Sequence, residues 1–397
     1  MCKKKTLLVL GAARYQLEAI LRAHQLGYRV VTADNVPNNP GHTFADRAYC
    51  IDTTNKDEIL RVAISERISG VISPATDVAV PTAAFVADKL GLPGPPPSAV
   101  RITCDKAALS QFLTDHAFPG PPSLVLRKGE QTCFAALGPP PWIVKPDCSS
   151  GSKGCSVVSD AATIGCALAD AWCWARNRVV IQKYIEGHQG TAEGVLSNGS
   201  IVAIFITDRQ TATDPYVATI GHRLPSRLPS DMAERIAKLL QDVLSTLGIT
   251  DGVFDCDFVV SGDGVFVLEL SPRLGGNCIA RLIRHASGFD ILQYAIQFAC
   301  RDAQPCSVAA PLRPTAVILL GTERPGRLDY NEAELCALRK EPWVLTAELD
   351  CARGTMVSAF TDGRRRVGEA FLVADDRDEL DQRVSEFCRR LALAPVP

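Results

Sequence analysis

The sequence lacks the features that mark several broad classes of protein. Its 397 residues contain no apolar run of the length that a membrane span requires, no internal repeat and no low-complexity tract. The net charge is only −2 and no dense basic block with interleaved aromatic residues is present, so we expect neither nucleic acid nor a membrane as a partner. The basic run Arg364 to Arg366 follows Asp362 and Gly363, which predicts a solvated hairpin turn. With 47% hydrophobic residues, the chain fits a globular protein of two or three domains.

Disulfide frameworks and zinc motifs are also missing from the sequence. The fifteen cysteines are odd in number and form no C-x-x-C pair, and Cys256 and Cys300 lie inside apolar patterns, as small buried side chains do. Such usage fits a reducing compartment, and we expect a cytoplasmic protein. The basic residues Lys3 to Lys5 and the apolar stretch after them mimic a signal peptide, but the stretch is short and has no convincing cleavage site. We therefore interpret Thr6–Leu10 as a first β-strand.

Strands and helices alternate along the first hundred residues. Apolar runs at Thr6–Leu10, Tyr28–Ala33 and Gly70–Ser73 alternate with amphipathic helical patterns, which predicts a parallel sheet with helices on both faces. The Pro- and Gly-rich segment Gly91–Pro97 marks a domain boundary. Beyond it, predicted helices include Ser98–Ala117, Gln131–Leu137 and Asp231–Leu247, the last with Ser230 as its N-cap. A smaller α+β domain begins near Pro305.

A hairpin of two apolar strands turns near Asp263 and carries several acids. Because strand side chains alternate, Asp255 and Asp257 share one face of the first strand, while Glu269 and Ser271 share a face of the returning one. If the hairpin is symmetric about Asp263, Asp257 lies opposite Glu269. Asp255 then faces Ser271. Opposed carboxylates repel unless a cation lies between them, and hard oxygen donors suit Mg²⁺ with nucleotide phosphates. A solvated sheet face is the alternative, although the apolar flanks favour partial burial.

A second element combines a lysine with a loop rich in serine and glycine. Lys145 ends a buried strand, and Ser149-Ser150-Gly151-Ser152-Lys153-Gly154 follows it. A cation and several backbone N–H groups in this order can surround a triphosphate. The order differs from that of a Walker A loop, and such a loop taken alone is more often a hairpin turn.

Two shorter segments complete the pattern. Arg273 closely follows the second acid strand, where a guanidinium can neutralise charge on a phosphoryl or tetrahedral centre. Gly275 and Gly276 allow backbone N–H groups to approach an anionic substrate, although the segment alone indicates only a turn with a helix cap. The strand around Gln182 to Ile185 can present backbone groups to an adenine edge, but this pattern is weak without its neighbours.

In this order and spacing, these elements resemble the ATP-grasp superfamily over nearly the whole chain. The segments Leu7–Gln16 and Ser73–Thr82 are similar to the N-terminal domain of its amino-acid ligase and biotin-carboxylase-like branch, which contains carboxylate–amine ligases. The resemblance implies a fold of mixed α/β and α+β class. It implies a Rossmann-like parallel-sheet domain at 1–97, an ATP-grasp domain of two α+β subdomains at 98–304, with a small lid subdomain at about 120–187, and a C-terminal α+β domain at 305–397.

The resemblance also implies roles for individual residues. Contacts to ATP are implied for Lys106, Lys145, Ser149, Ser150, Gly151, Ser152, Gly154, Gln182, Lys183, Tyr184, Ile185 and Gln189. Metal binding is implied for Asp257, Glu269 and Ser271, and catalysis for Lys145, Arg273 and Asn277. Contacts to substrates are implied for Arg209, His222, Arg273, Gly275 and Gly276. A histidine near a strand end, such as His222, is equally often structural. Ser271 stands where the family usually has asparagine, so Asn277 or water would complete the metal shell.

Two further positions depart from the family pattern, both in the nucleotide site. Gln182 replaces a frequent glutamate at the first hinge position, and its amide can still bind the amino group of adenine. The acid expected to contact the ribose aligns with Gln189, which leaves Glu193 or Glu186 as substitutes.

The resemblance implies an ATP-dependent ligase that forms a C–N bond and releases ADP. ATP and Mg²⁺ would be its cofactors, with Mn²⁺ as an alternative metal, and its substrates would be an amine and a small-molecule carboxylate activated as an acyl phosphate. A homodimer is expected. A purine-pathway or biotin-carboxylase-like enzyme and a non-catalytic nucleotide-binding protein stay open as alternatives. An NAD-dependent oxidoreductase is disfavoured, because Gly11 is not followed by the second and third glycines of G-x-G-x-x-G.

Overall fold

The computed structural model describes residues 4–130, 133–212, 215–262, 264–306, 308 and 311–396. The chain begins with alternating strands and helices at Thr6–Leu10 (β1), Arg14–Gln25 (α1), Arg29–Asp34 (β2), Pro40–Thr43 (α2), Arg47–Cys50 (β3), Lys56–Glu66 (α3), Gly70–Ile72 (β4) and Val80–Leu90 (α4). The four strands form a parallel sheet in the order β3-β2-β1-β4. Leu7 and Val9 pack on one face of this sheet, and Leu8 and Leu10 pack on the other. The predicted Rossmann-like sheet is thus confirmed.

Two helices stand where the sequence predicted one at Ser98–Ala117. They are Pro97–Thr103 (α5) and Lys106–Asp115 (α6). Asp105 causes the break, because its backbone is extended and its carboxylate accepts hydrogen bonds from two backbone N–H groups in the first turn of α6. Lys106 therefore occupies the first position of α6, and its backbone N–H donates to the Asp147 carbonyl at 2.9 Å.

Asp105, Asp147 and Cys148 lie close enough together to suggest a metal site, but the two carboxylates are already engaged. Arg178 forms ion pairs with both of them. Asp147 also accepts hydrogen bonds from three successive backbone N–H groups, those of residues 176–178, at 2.8 to 3.2 Å. This cluster fastens the start of α6 to the sheet that follows.

That sheet is antiparallel and spans residues 123–183. Its elements are Ser123–Arg127 (β5), Trp142–Pro146 (β6), Ser156–Val158 (β7), Ile164–Trp174 (α7) and Arg178–Lys183 (β8), with 3-10 turns at Phe134–Leu137 and Ala161–Thr163. The strands lie in the order β5-β8-β6-β7, within the range predicted for the lid subdomain. The helix predicted at Gln131–Leu137 is a 3-10 turn where it is described, and residues 131 and 132 lie outside the described part of the chain.

The largest sheet has eight antiparallel strands. The remaining strands are His188–Ser197 (β9), Ser200–Thr211 (β10), Thr219–Leu224 (β11), Gly252–Ser261 (β12), Gly264–Ser271 (β13), Thr315–Leu320 (β14), Gly326–Asp329 (β15), Val344–Leu349 (β16), Met356–Val357 (β17), Gly368–Val373 (β18) and Ala394–Val396 (β19). Eight of them lie in the order β13-β12-β9-β10-β11-β14-β18-β16, and β17, β15 and β19 form a small separate sheet. Because β14, β16 and β18 follow residue 305, the predicted C-terminal domain shares its main sheet with the preceding region.

Helices cover both faces of this large sheet. They are Ser230–Thr246 (α8), Ile279–Ser287 (α9), Ile291–Ala299 (α10), Glu332–Leu338 (α11) and Arg377–Leu391 (α12), with a 3-10 turn at Gly363–Arg365. The apolar face of α8 packs against Phe254 and Phe258, whereas α9 and α10 pack with α1 on the opposite face. Pro229, rather than the predicted Ser230, is the N-cap of α8, and no side chain caps it. Within the described residues, no helix has the length and apolar character needed to cross a membrane.

Candidate active site

A cavity of about 410 Å³ lies where the N-terminal sheet, the lid sheet and the large sheet meet. Most of the predicted site residues line it, namely Lys106, Lys145, Ser149, Ser150, Gly151, Ser152, Gln182, Lys183, Tyr184, Ile185, Gln189, Arg209, His222, Asp257, Glu269, Arg273, Gly276 and Asn277. Three other predicted residues, Gly154, Ser271 and Gly275, are not among the lining residues. The residues that line the cavity run from Gly11 to Arg364 in the sequence, so the fold itself assembles this site.

The hairpin of β12 and β13 brings two acids to the cavity. Asp257 pairs directly with Glu269, as predicted, but Phe258 pairs with Val267. Leu268 is therefore an extra residue, and the strand contains a β-bulge at this point. The symmetry about Asp263 that the sequence suggested is wrong near the turn, where Ser261 pairs with Gly264 and Val260 with Val265; Asp263 itself lies outside the described residues. Without the bulge Asp257 would pair with Leu268, so the bulge places Asp257 opposite Glu269.

Asp257 and Glu269, here called the outer acid pair, each have a cation beside them. Lys106 Nζ lies 2.5 Å from Glu269 Oε1, and Arg209 lies 3.2 Å from Asp257 Oδ2. The Thr191 hydroxyl also donates to Asp257, at 2.6 Å. Burial works against the charged form of Lys106, but the pairing with Glu269 outweighs it, and the pKa of this lysine is raised. Two opposed carboxylates that reach a cavity offer the hard oxygen donors that Mg²⁺ requires, so the residues present fit this ion.

Lys145 provides a second cation at the cavity, near the end of β6. Its pKa is lowered, first by burial and then by the positive charges of Lys106 and Arg209, while Glu269 acts in the opposite direction. Two lysines near one carboxylate leave a local excess of positive charge. A polyphosphate in the cavity would neutralise that excess. The sequence predicted such contacts of Lys106 and Lys145 with ATP.

The loop after Lys145 folds over the same cavity. The Lys106 ammonium donates to the Ser149 carbonyl at 3.0 Å, and the Ser152 hydroxyl donates to the Val217 carbonyl at 3.2 Å. Gly154 has a positive φ, and a Cβ on it would lie 2.6 Å from the Trp174 ring. Packing against α7 therefore requires glycine at this position, and the ATP contact of Gly154 stays a prediction.

The residues predicted to hold adenine also line the cavity. Gln182 is buried, and its Nε2 donates to the Ser123 hydroxyl at 2.9 Å. The Lys183 ammonium donates to the Pro139 carbonyl at 2.6 Å, so its side chain is already occupied. Gln189 donates weakly to the Tyr184 hydroxyl, at 3.4 Å. Of the two acids considered as ribose contacts, Glu186 is exposed and Glu193 fully buried, and neither lines the cavity.

A second group of carboxyls surrounds Arg273 and is here called the inner acid cluster; it consists of Asp77, Glu193 and Asp255. Arg273 lies 2.8 Å from Asp77 and 3.1 Å from Asp255. Glu193 of β9 pairs with Asp255 of β12 across the sheet and has no exposed surface. Burial and the neighbouring Asp255 raise the pKa of Glu193 well above its ordinary value. The guanidinium predicted to meet substrate is thus held from two sides by the protein.

Two residues with predicted ligand contacts form hydrogen bonds with the inner acid cluster. The hydroxyl of Ser271, predicted as a metal ligand, instead donates to Asp77 at 2.8 Å, because Ser271 faces Asp255 and not the outer acid pair. The backbone N–H of Gly275, predicted to approach substrate, donates to Glu193 at 2.6 Å. A Cβ at Gly275 would lie 2.5 Å from the Asp255 carboxylate, so close approach of the backbone explains this glycine.

His222 is a buried, neutral histidine at the cavity wall. It is 1% exposed, and burial followed by the charge of Arg209 lowers its pKa to about 3. Its Nδ1 lies 3.0 Å from the Thr207 hydroxyl, while its Nε2 has no partner among the described residues. This geometry is compatible with both roles that the sequence left open, a substrate contact and a structural one.

No feature of the sequence indicated that the C-terminal region reaches the site. Gly363 and Arg364 line the cavity, and the Gly363 N–H donates to the Gly151 carbonyl at 3.1 Å. The Tyr15 hydroxyl of the N-terminal region donates to the Gly363 carbonyl. The prediction of a solvated hairpin turn here is wrong, because Asp362 is buried and caps a 3-10 turn that packs against the loop. Asp77 was not predicted as a site residue either, because only its tertiary contact with Arg273 indicates a role.

Comparison with known proteins gives one family match. Residues 103–277 match the family model of the ATP-grasp domain. The uncharacterized protein y4rH of Sinorhizobium fredii is 27% identical over 341 residues, which cover 83% of this chain and 70% of that protein. The formate-dependent phosphoribosylglycinamide formyltransferase of Burkholderia pseudomallei is 29% identical over 287 residues, which cover 67% of this chain and 68% of the relative.

Solved structures show the same fold over the whole chain. The L-amino acid ligase of Bacillus licheniformis superposes with a TM-score of 0.83 and covers 100% of this chain and 99% of its own. The sequence identity is 17%, so this likeness concerns the fold. The overlap includes the N-terminal sheet, the lid sheet and the large sheet that enclose the cavity.

Proposed function

We propose that this chain, whose residues 103–277 match the ATP-grasp domain, is an ATP-dependent ligase that activates the carboxylate of an amino acid or related metabolite as an acyl phosphate and joins it to an amine. ADP and phosphate would be the other products. The observation that carries this proposal is the convergence of Lys106, Lys145 and the outer acid pair on one cavity. Phosphoryl transfer depends on positioning and on neutralising charge, and these four side chains provide both.

In the first step the two lysines bind the oxygens of the transferred phosphoryl group. Lys106 is fixed at the first position of α6, and Lys145 is near the end of a strand, so both are held by rigid elements. Asp257 and Glu269 would hold Mg²⁺, which when bound supplies positive charge to the phosphates; Mn²⁺ stays a prediction. The Lys106 ammonium, now beside Glu269, would then be released toward the nucleotide.

In the second step the amine attacks the acyl phosphate. Arg209 and Arg273 are the cations that would hold the reacting carboxylate and neutralise charge on the tetrahedral centre. Arg273 is oriented by the inner acid cluster, and Arg209 is oriented by the Thr219 hydroxyl at 2.9 Å. The loop at 149–155, held by Gly363, would exclude the water that otherwise hydrolyses an acyl phosphate.

The proposal is tested by supplying Mg-ATP with pooled amino acids and measuring the release of ADP and phosphate. We expect release that depends on two added substrates, together with an amide product seen by mass spectrometry. ATP hydrolysis that no pair of substrates stimulates would contradict a ligase of this kind.

A second candidate is a formate-using enzyme of the purine pathway. The 29% identity to a formate-dependent phosphoribosylglycinamide formyltransferase favours it. ADP release that requires formate and phosphoribosylglycinamide, and not amino acids, would decide for this candidate.

We also propose a cytoplasmic homodimer. The fourteen cysteines that the structure describes are free thiols, which supports a reducing compartment. Light scattering on the purified chain tests the dimer, and a mass of 42.7 kDa would contradict it.

A further inference from the structure

The strands β5 and β8 place Ser123 directly opposite Gln182. Gln182 is 5% exposed and lines the cavity, together with Pro121. A buried amide has two N–H donors and a carbonyl acceptor to satisfy, and its two possible orientations present different groups to a ligand. The hydrogen bonds around Ser123 decide between these orientations.

The single hydroxyl proton of Ser123 is already used. It is donated to the Pro121 carbonyl at 2.7 Å. The Ser123 oxygen can therefore only accept from Gln182, and the amide nitrogen Nε2 lies 2.9 Å from it. This arrangement directs the Gln182 carbonyl oxygen away from Ser123. That oxygen is buried and has no partner among the described residues.

The opposite orientation of the amide is disfavoured by the same contacts. It would place two acceptor oxygens 2.9 Å apart unless the Ser123 hydroxyl turned toward Gln182. Turning the hydroxyl would leave the Pro121 carbonyl without its donor at a buried position. A lost hydrogen bond of this kind costs enough to bias the orientation strongly. The free Gln182 oxygen is thus a fixed acceptor, and a buried acceptor without a partner calls for a donor on the ligand.

We propose that Ser123 is a positioning residue that fixes Gln182 as an acceptor and thereby selects a 6-aminopurine nucleotide over a 6-oxopurine nucleotide. The inference rests on the proposed function, because it assumes a purine nucleotide in this cavity. The 6-amino group of ATP donates a hydrogen to the Gln182 oxygen. The 6-oxo group of ITP would instead face that oxygen with a second acceptor, and the amide could not turn to meet it.

The test measures equilibrium binding of three nucleotides, ATP, purine riboside triphosphate and ITP, to the full chain with Mg²⁺. Purine riboside triphosphate has neither donor nor acceptor at position 6, so it is the neutral reference. We expect the wild-type protein to bind ATP most tightly and ITP most weakly, with an ATP-to-ITP ratio of about tenfold or more. Ser123→Ala frees the amide, and the ratio should fall by about five- to tenfold. Ser123→Thr keeps the hydroxyl on a strand and should keep the ratio.

The outcomes separate this inference from the proposed function. Wild-type protein that binds none of the three nucleotides would overturn both. Tight ATP binding with an unchanged ATP-to-ITP ratio in Ser123→Ala would overturn only the role of Ser123. A purely structural role would weaken all three nucleotides equally, whereas the proposed role changes their order. If Ser123→Ala does not fold, Gln182→Leu serves instead, and it should bring the three affinities together; a preserved preference for ATP would then contradict the inference.

Discussion

The cavity contains two groups of carboxylates that are neutralised in different ways. In the outer acid pair, Asp257 and Glu269 each have their own cation, and their side chains are 21% and 37% exposed. In the inner acid cluster, three carboxyls share the single guanidinium of Arg273, and none of their side chains is more than 17% exposed. The two groups therefore have the same residue types but different ratios of acids to bases.

The difference indicates what each group does. We expect the outer acid pair to exchange its cations for ligands, because its side chains are the more exposed of the two groups. Asp77 and Asp255 also line the cavity, but they share one guanidinium and are more buried, so we expect their protonation to change instead. Burial raises the pKa of Asp255 to about 7 and the pKa of Glu193 well above its ordinary value, whereas Arg273 overcomes the burial of Asp77 and lowers its pKa. We infer that the outer acid pair binds the metal ion and that the inner acid cluster orients Arg273.

The largest effect is expected at the outer acid pair. Glu269→Gln removes one of two negative charges that would hold Mg²⁺, and ATP turnover should fall by about a hundred- to a thousandfold. The melting temperature should also fall somewhat, because the largely buried Lys106 loses the carboxylate beside it. The measurement is ADP release under the conditions of the two-substrate assay.

Glu332→Gln is the matched control for this change. It makes the same chemical substitution at an exposed helix position that does not line the cavity. Turnover close to wild type is expected for the control. Equal turnover in both variants would show that Glu269 does not bind the metal.

A smaller effect, on stability rather than turnover, is expected in the inner acid cluster. Asp77→Asn leaves Arg273 buried with one of its two charged partners removed, and the free energy of unfolding should fall by roughly 3 kcal/mol. Urea unfolding followed by circular dichroism measures this. Asp378→Asn is the comparison, because it removes an exposed partner of Arg227 and should cost less than about 1 kcal/mol. Similar losses in the two variants would contradict the distinction between buried and exposed pairs.

The smallest effect is expected for Glu193→Gln. The pKa of Glu193 is raised in the folded protein, so its carboxyl group is largely neutral there. Glutamine has a neutral side chain of similar size. At pH 5 the stabilities of the variant and the wild type should agree within about 1 kcal/mol. The stability that a raised carboxyl pKa contributes is complete below the unfolded value near 4.5 and is lost as the pH rises through the folded value. Wild-type stability should therefore fall relative to the variant between pH 5 and pH 9, and a constant difference would contradict a raised pKa.

Much of the fold and part of the site could be predicted from local pattern. The alternation of apolar runs was enough for the N-terminal parallel sheet. The opposition of Asp257 and Glu269 was expected from a turn symmetric about Asp263, but a shorter turn and a bulge produce it. The bulge at Leu268 that maintains this register has no counterpart in the pattern, since it depends on how the hairpin pairs. The single helix predicted at Ser98–Ala117 failed because Asp105 was read as an interior residue, although aspartate is a favoured N-cap.

Contacts between distant segments account for most of what the sequence did not reveal. Asp77 and Arg273 are 196 positions apart, and only the packing of the N-terminal domain on the large sheet brings them together. The arginines beside Gly363 predict a solvated turn, yet hydrogen bonds with Tyr15 and Gly151 hold this turn at the cavity. Roles that depend on such contacts cannot be derived from residue type or spacing alone.

The central claim is that Lys106, Lys145 and the outer acid pair bind one nucleotide. A crystal structure with Mg²⁺ and a non-hydrolysable ATP analogue tests it most directly. The account predicts carboxylate oxygens of Asp257 and Glu269 at about 2.1 Å from the metal, with both lysine ammonium groups on the phosphates. Phosphates bound elsewhere, or a metal that neither acid contacts, would contradict it.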